Sequence, residues 1–180
     1  EVVNQRQKYA ESFYEILTQS DPKNIIFIDE VGFNVIMRNK IGRSLKGTPA
    51  SYIVSGMRSK NISVCCAMNK HGILKYLVQD KPFENRSFGI FIKQLFEEIL
   101  AYKAVIVMDN ASFYKHANIK EIFNNSSNKL VFLPPYSPFL NPIENMFAKW
   151  KLLVAESRPN NEEQLLNSMK NVTSILREVN

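Results

Sequence analysis

Three short segments made only of apolar residues constrain the fold of this chain more than any other feature. They are residues 25–28, 104–108 and 130–133, and they consist mainly of Ile, Val, Leu and Phe. A continuous apolar run of this length is typical of a strand that is buried on both faces. We therefore predict a sheet that helices cover on both sides, as in α/β proteins.

The other hydrophobic patterns supply the helices and the remaining strands. Apolar residues recur at helical spacing in five segments, which are residues 3–19, 87–101, 118–123, 142–154 and a last segment opened by 159–161. Residues 60–68 and 73–79 are predicted as strands, and the turn-forming residues 69–72 between them predict a hairpin. The order of elements favours a mixed α/β sheet with three antiparallel strands followed by two parallel strands.

Length and composition indicate a single globular domain. The chain has 180 residues, of which 45% are hydrophobic and 22% are charged, and domains usually hold about 100–200 residues. We divide it into a leading helix (residues 1–20), a core (24–155) and a C-terminal helix (160–178). Because the first residue is Glu1 rather than Met, we expect a processed chain or a domain excised from a longer protein.

Positive charge is concentrated in one stretch. The chain has 23 Lys and Arg against 17 Asp and Glu, a net charge of +6, yet residues 31–79 contain no acidic residue. The basic residues of that stretch are Arg38, Lys40, Arg43, Lys46, Arg58, Lys60, Lys70 and Lys75. This asymmetry favours a polyanionic partner, with nucleic acid first, although a basic face that only meets solvent is the alternative.

Other features argue against several classes of protein. Cys65 and Cys66 are adjacent, so they form neither a useful cross-link nor a zinc cage, and this usage is typical of a reducing compartment. No apolar run approaches the roughly 18–20 residues that span a bilayer, so no membrane partner is expected. A Gly-rich phosphate loop, a Gly-x-Ser-x-Gly elbow and a His-Glu-x-x-His motif are absent from the sequence, and His71 and His116 are too few for a zinc site.

Two of the predicted strands end in an aspartate. Asp29 follows residues 25–28, and Asp109 follows residues 104–108. Ligands in open α/β sheets bind at the carboxyl ends of strands, so neighbouring strands would place these two carboxylates side by side. Two carboxylates so placed repel each other, and one protonates unless a cation intervenes. Since no Lys or Arg is next to either aspartate in sequence, Mg²⁺ or Mn²⁺ is the simplest partner.

Glu144 is the candidate for a third ligand. It is the third residue of a helix with Asn141 as the predicted N-cap and Pro142 at the first position. It lies roughly 100° from the apolar stripe of that helix, so it can border the edge of the sheet. Each acid alone has another interpretation, Asp29 and Asp109 as turn or loop residues and Glu144 as a capping-box residue. Together, beside a basic stretch, they favour a functional site.

Three acids without a nucleophilic side chain are typical of two-metal phosphoryl transfer. Two cations roughly 3.5–4 Å apart activate an attacking oxygen and stabilise the leaving oxygen. The attacking group can be water or the 3′-hydroxyl of DNA, because the same site serves both.

These motifs resemble the catalytic domain of mariner-type DDE transposases. The matching segments are Ile28-Asp29-Glu30, Val107-Met108-Asp109-Asn110-Ala111, Leu133-Pro134-Pro135-Tyr136-Ser137-Pro138 and Leu140-Asn141-Pro142-Ile143-Glu144-Asn145. Residues 42–49 are similar to the basic loop of that family, and residues 61–64 to its second strand. The resemblance extends from about Tyr9 to Val154, and the 34 residues between Asp109 and Glu144 are characteristic of the branch whose third acid is glutamate.

The resemblance implies a ribonuclease-H-like fold in which Asp29, Asp109 and Glu144 are catalytic and bind two Mg²⁺ or Mn²⁺ ions, with Asp29 bridging both. It implies cleavage at transposon ends and joining of the 3′-hydroxyl to target DNA, so double-stranded DNA is the expected partner. The six basic residues from Arg38 to Lys60 would hold DNA phosphates, with affinity that depends on salt and little on sequence. The expected location is the nucleus in a eukaryote and the cytoplasm otherwise.

The sequence departs from the family pattern at two positions. Tyr114 stands where the family often has His, with His116 displaced, and Phe139 stands where it often has Asp. The helix-turn-helix modules that usually precede this domain are not recognisable, so we expect that they were removed or lost. Tyr136 could contact DNA, although packing of the proline loop is the favoured interpretation.

The sequence leaves other functions open. One alternative is a domesticated, catalytically silent domain that binds DNA or a protein partner. Another is a ribonuclease of similar fold, which the loop of prolines and tyrosine makes less favoured. The basic loop could also carry the contacts of a homodimer instead of DNA.

Overall fold

Helices and strands follow one another in the order that the hydrophobic patterns predict. The computed structural model describes residues 2–37, 43–49, 60–100, 103–110 and 116–177. Its helices are α1 (Val2–Gln19), α2 (Asn85–Glu98), α3 (Ala117–Asn124), α4 (Pro142–Glu156) and α5 (Glu162–Arg177). Its strands are β1 (Ile25–Phe33), β2 (Ile62–Asn69), β3 (Gly72–Gln79), β4 (Val105–Met108) and β5 (Lys129–Phe132). None of the helices in these ranges is both long enough and apolar enough to cross a membrane.

The five strands form one sheet in the order β3-β2-β1-β4-β5. β2 pairs antiparallel with β1 and β3, while β4 pairs in parallel with β1 and β5, so the predicted arrangement is confirmed. The hairpin between β2 and β3 is confirmed too, but its turn has only Lys70 and His71, since Asn69 pairs with Gly72. Gly72 has a φ of 117°, and a Cβ there would lie 2.2 Å from the carbonyl oxygen of Leu176. Only glycine fits this turn without strain.

One predicted boundary is wrong. The sequence predicts that the first strand ends at Asp29, but β1 continues to Phe33. It does so because its pairing with β2 runs from Phe27 to Phe33, whereas its pairing with β4 ends at Ile28. Asp29 therefore lies inside a strand, at the point where β1 loses β4 as a neighbour on one edge.

Successive side chains along each strand lie on opposite faces of the sheet, where they form apolar layers. On one face, Ile28 and Met108 belong to the layer under α2 and α3. On the other face, Phe33 belongs to the layer under α4 and α5, and Val107 belongs to a cluster with Tyr9 and Ile16 of α1. The second face is therefore divided between two helical clusters, and the functional site lies where they meet.

The adjacent cysteines are core residues, as the sequence predicts. Both are buried free thiols in β2. Cys65 faces the layer under α2 and α3, and Cys66 faces the layer under α4 and α5. Burial raises the pKa of both thiols, which keeps them protonated and unreactive.

We predict that Trp150→Ala lowers the free energy of unfolding by about 3–5 kcal/mol. Trp150 in α4 is fully buried, and its ring centroid lies 5.2 Å from that of Phe33 and 5.8 Å from that of Tyr76, so truncation opens a cavity between α4 and the sheet. Leu152→Ala, in the same helix at a side chain that is 47% exposed, is the control, with an expected change of about 0.5 kcal/mol. Urea unfolding measures both, and equal losses would contradict the prediction.

Candidate active site

Asp29 and Asp109 lie side by side on one face of the sheet. β1 and β4 pair in parallel with Ile28 opposite Met108, so the next position along brings Asp29 beside Asp109. Ile28 and Met108 belong to the layer under α2 and α3, and successive side chains alternate, so both aspartates face the side of α1 and α4. Neighbouring strands lie about 4.8 Å apart. The structure thus brings together the two aspartates that the sequence singled out.

The beginning of α4 carries the third acid to the same place. Glu144 is exposed and lies in the first turn of α4. Asn141 takes the N-cap position, as predicted, but its side chain makes no capping bond. Instead, its Nδ2 donates a hydrogen bond of 2.8 Å to Oδ2 of Asp29. This bond ties the start of α4 to β1 beside the acids.

The capping interpretation of Glu144 is not supported. In a capping box the Glu144 carboxylate would accept a hydrogen bond from the amide of Asn141. That amide donates to the carbonyl oxygen of Pro138 instead, at 2.9 Å. The Glu144 carboxylate is therefore available to the cleft, at a helix N-terminus whose dipole favours negative charge.

The three acids line one open cleft of about 460 Å³ at this edge of the sheet. The rest of its wall comes from Asn110, Leu133, Asn141 and residues 134–138, which we call the proline loop. Among the described residues that line the cleft, none is Lys or Arg.

The carboxyl group of Asp29 has a strongly shifted pKa. Burial raises this pKa from 3.8 to about 7, and repulsion from Asp109 and Glu144 acts in the same direction. The amide of Glu30 opposes the shift, because it donates a hydrogen bond of 2.7 Å to Oδ1 of Asp29. A half-buried carboxyl beside two others favours either the protonated form or a neighbouring positive charge.

The donor atoms fit Mg²⁺ or Mn²⁺, which prefer oxygen ligands. Beside the carboxylates, Oδ1 of Asn141 is buried and has no hydrogen-bond partner within the described residues, so one further oxygen near Asp29 is unsatisfied. In the described part of the chain, no three His, Cys, Asp or Glu side chains converge closely enough to hold a single ion.

The structure describes three of the six predicted DNA-binding residues. Arg43 and Lys46 lie in the exposed segment 43–49, and Lys60 is exposed before β2. None of these three lines the acidic cleft. The remaining candidates lie outside the described residues, and they are Arg38, Lys40 and Arg58. The phosphate-binding role of all six stays a prediction.

Neither histidine belongs to the cleft lining. His71 is exposed in the hairpin turn, as expected, and His116 is exposed before α3. Tyr114, the other residue that departs from the family pattern in this region, lies outside the described residues.

Sequence reasoning missed Arg6 of α1, which holds the proline loop. Its Nε donates to Oγ of Ser137 at 2.9 Å, and its Nη2 donates to the carbonyl oxygen of Tyr136 at 2.7 Å. Its guanidinium carbon also lies 5.0 Å from the ring centroid of Phe139, where the family often has Asp. The only hint in the sequence is that Arg6 precedes Tyr9 by three positions, on the helix face that packs against the sheet.

The interpretation of Tyr136 as a packing residue is wrong. Its side chain is 86% exposed at the lip of the cleft. The ring is not needed for packing, because Arg6 bonds to the backbone of the loop and its prolines fix φ.

We predict that Asp29→Asn stabilises the metal-free protein above pH 7 and that the gain vanishes near pH 4. The folded-state pKa of Asp29 lies near 7, above its unfolded value of 3.8. Between pH 3.8 and pH 7 the folded protein therefore keeps a proton on Asp29 that the unfolded chain has lost, and the folded protein loses stability as pH rises through this range. Asn carries no charge to bury at any pH. Thermal unfolding in EDTA from acidic to alkaline pH measures the effect. Asp80→Asn, at an exposed carboxyl after β3, is the control, and parallel curves for wild type and Asp29→Asn would contradict the prediction.

The sequence model of the DDE superfamily endonucleases matches residues 24–166, which is most of the chain. No curated protein matched the sequence. Among solved structures, the fold is similar to the Mos1 transposase paired-end complex with left transposon end (16% identity, TM-score 0.79, 96% of this chain and 54% of that chain). It is also similar to the Mos1 mariner paired end complex with Mn (15% identity, TM-score 0.79, 94% and 54%). A third similar structure is the catalytic domain of Mos1 mariner transposase (13% identity, TM-score 0.73, 96% and 80%).

The chain therefore spans about half the length of the transposase chains in the two paired-end complexes, and most of the separate catalytic domain. The mixed five-stranded sheet flanked by helices is the ribonuclease-H-like fold of that catalytic domain. The fold that the resemblance implies is thereby confirmed, and the chain belongs to the DDE superfamily endonucleases.

Proposed function

We propose that this chain is the metal-dependent nuclease and strand-transferase domain of a transposase. It would cut phosphodiester bonds at transposon ends and join the resulting 3′-hydroxyl to target DNA. The observation that carries the proposal is the placement of Asp29, Asp109 and Glu144 around one cleft that no described Lys or Arg lines. Membership of the DDE superfamily endonucleases supports the nuclease part.

We propose Asp29, Asp109 and Glu144 as the catalytic residues and as the ligands of two Mg²⁺ or Mn²⁺ ions. Oxygen-only donors and the raised pKa of Asp29 support this assignment, and one of the similar Mos1 structures is a complex with Mn. When bound, such ions supply activation of an attacking oxygen and stabilisation of the leaving oxygen. The chain itself supplies the carboxylates, and Asn141 holds the Asp29 carboxylate in place through its 2.8 Å hydrogen bond.

We propose double-stranded DNA, as transposon end and as target, for the partner of this domain. The net charge of +6 and the acid-free stretch 31–79 support it, because phosphates are neutralised by Lys and Arg. One similar structure is a complex with a transposon end. A homodimer with contacts through the basic loop is a second partnership that we keep as a proposal. The proposed location is the nucleus in a eukaryote and the cytoplasm otherwise.

Metal-dependent nicking is the direct test of the proposed chemistry. We expect the wild-type chain to nick a labelled DNA duplex in Mn²⁺, and Asp109→Asn to reduce nicking to the level seen in EDTA, because the substitution removes a ligand charge and keeps the side-chain shape. Glu97→Gln removes an exposed carboxylate from α2, outside the cleft, and should nick as wild type does. Gel separation of the labelled strands measures all three.

The other outcomes of this experiment identify the rival functions. Intact DNA binding without nicking in any metal would contradict the proposal and favour a catalytically silent binding domain. Cleavage of an RNA–DNA hybrid in preference to duplex DNA would favour a ribonuclease of similar fold. Equal nicking by wild type and Asp109→Asn would show that the activity comes from elsewhere.

We predict that the affinity for duplex DNA falls steeply with salt. The double variant Arg43→Gln/Lys46→Gln should lower the slope of log K against log[salt] by about 2, since each neutralised phosphate contributes roughly 0.9 to the slope. Both side chains are exposed, so the substitutions should not affect folding. Lys103→Gln/Lys120→Gln removes the same charge from outside the acid-free stretch and should leave the slope near that of wild type. Binding titrations at several salt concentrations measure the slope. An affinity of the wild-type chain that does not change with salt would contradict the assignment of these residues to phosphate binding.

A further inference from the structure

The ring of Tyr136 is presented to solvent at the lip of the acidic cleft. It is 86% exposed and lines the same cleft as the three acids. Because the ring is exposed, its apolar surface contributes no free energy of burial to folding. The described contacts of the residue are made by its backbone, through the hydrogen bond that its carbonyl oxygen accepts from Arg6.

The backbone of Tyr136 is held in a conformation that a residue with a Cβ rarely adopts. Its φ is 53°, in the left-handed region, which disfavours every residue except Gly and, to a smaller extent, Asn and Asp. Neither turn chemistry nor packing calls for tyrosine at such a position. Strain of this kind at the edge of a site points to a function of the side chain.

Arg6 fixes the loop in this conformation from a distant part of the chain. Its guanidinium donates to Oγ of Ser137 and to the carbonyl oxygen of Tyr136, and it stacks on the ring of Phe139. The hydroxyl of Ser137 donates in turn to the carbonyl oxygen of Pro135 at 3.0 Å, and Ser137 is buried. The two hydrogen bonds and the contact with the Phe139 ring all come from one planar guanidinium, so together they fix the position and orientation of the loop. Lysine has no planar, forked donor group and could not make this set of contacts.

We propose that Tyr136 is a stacking platform for an unpaired nucleobase of the DNA in the cleft, and that Arg6 is the positioning residue that presents it. The inference rests on the proposed function, because it places DNA in the cleft. An exposed aromatic ring binds a base through its π-face, and every base has one, so the platform needs no particular sequence. Bases within an intact duplex have both faces covered by their neighbours. The platform therefore distinguishes DNA with an unpaired base from fully paired DNA.

The experiment compares two probes in fluorescence anisotropy titrations. One is a fully paired duplex of arbitrary sequence, and the other is the same duplex with one unpaired base at its centre. EDTA keeps the strands uncut, so the result does not depend on whether the chain is an active nuclease. We expect wild type to bind the second probe about tenfold more tightly than the first.

Two substitutions of Tyr136 isolate the ring. Tyr136→Phe keeps the π-face and should keep the preference for the unpaired base. Tyr136→Asn removes the ring but tolerates the left-handed backbone, so the loop keeps its shape. We expect this variant to bind both probes equally, with unchanged affinity for the paired duplex. Equal binding of both probes by wild type, or a preserved preference in Tyr136→Asn, would overturn the proposal.

Two substitutions of Arg6 separate positioning from direct phosphate binding. Arg6→Lys keeps the charge and Arg6→Gln removes it, but both lose the two-pronged contact with the loop. A positioning residue predicts that both variants lose the preference, keep the affinity for the paired duplex, and add nothing to Tyr136→Asn in a double variant. Weaker binding of both probes by Arg6→Gln alone, with rescue by Arg6→Lys, would show that Arg6 binds phosphate and would overturn its positioning role. Loss of Mn²⁺-dependent nicking bears on the proposed function and leaves this comparison intact.

Discussion

A half-buried carboxyl group on one face of the sheet, beside a second carboxyl, is the constraint on which the rest of this structure depends. Asp29 lies at the point where β1 loses β4 as a neighbour, with Asp109 in the adjacent position. Burial raises the Asp29 pKa to about 7, and the hydrogen bond that it accepts from the amide of Glu30 only partly compensates. A cation between these carboxylates would relieve both the burial of charge and the repulsion, which is the physical basis of the metal site that we propose.

The surrounding core makes this arrangement rigid. α4 serves two purposes at once, since its stripe around Trp150 packs against the sheet while its first turn presents Glu144 and the Asn141 side chain. A shift of α4 along the sheet would move both polar side chains away from Asp29. The close packing of Trp150 with Phe33 opposes such a shift, because an interior at crystal-like density has no room for sliding.

The wall of the cleft depends on a helix that precedes the segment matched by the family model. α1 packs on the same face of the sheet as the acids and reaches the proline loop with Arg6. This contact replaces the packing that an exposed Tyr136 does not provide. It also accounts for Phe139, whose ring is a partner for the guanidinium. The loop is thus fixed by its own prolines and by one residue of a remote helix.

Local patterns in the sequence were sufficient for the elements, their order and the mixed sheet, and they singled out three acids that the structure brings to one cleft. They were sufficient because apolar periodicity and strand ends depend on residues that are close along the chain. They failed where a neighbour in space decided the result. β1 extends past Asp29 because β2 continues to pair with it, and Asn141 gives up its capping bond for a contact 112 positions away. The hydrogen bond from Arg6 to the proline loop joins residues 130 positions apart, so it too arises only in the folded chain. Contacts of this kind arise from the packing of helices against the sheet, and the hydrophobic periodicity of the sequence does not predict them.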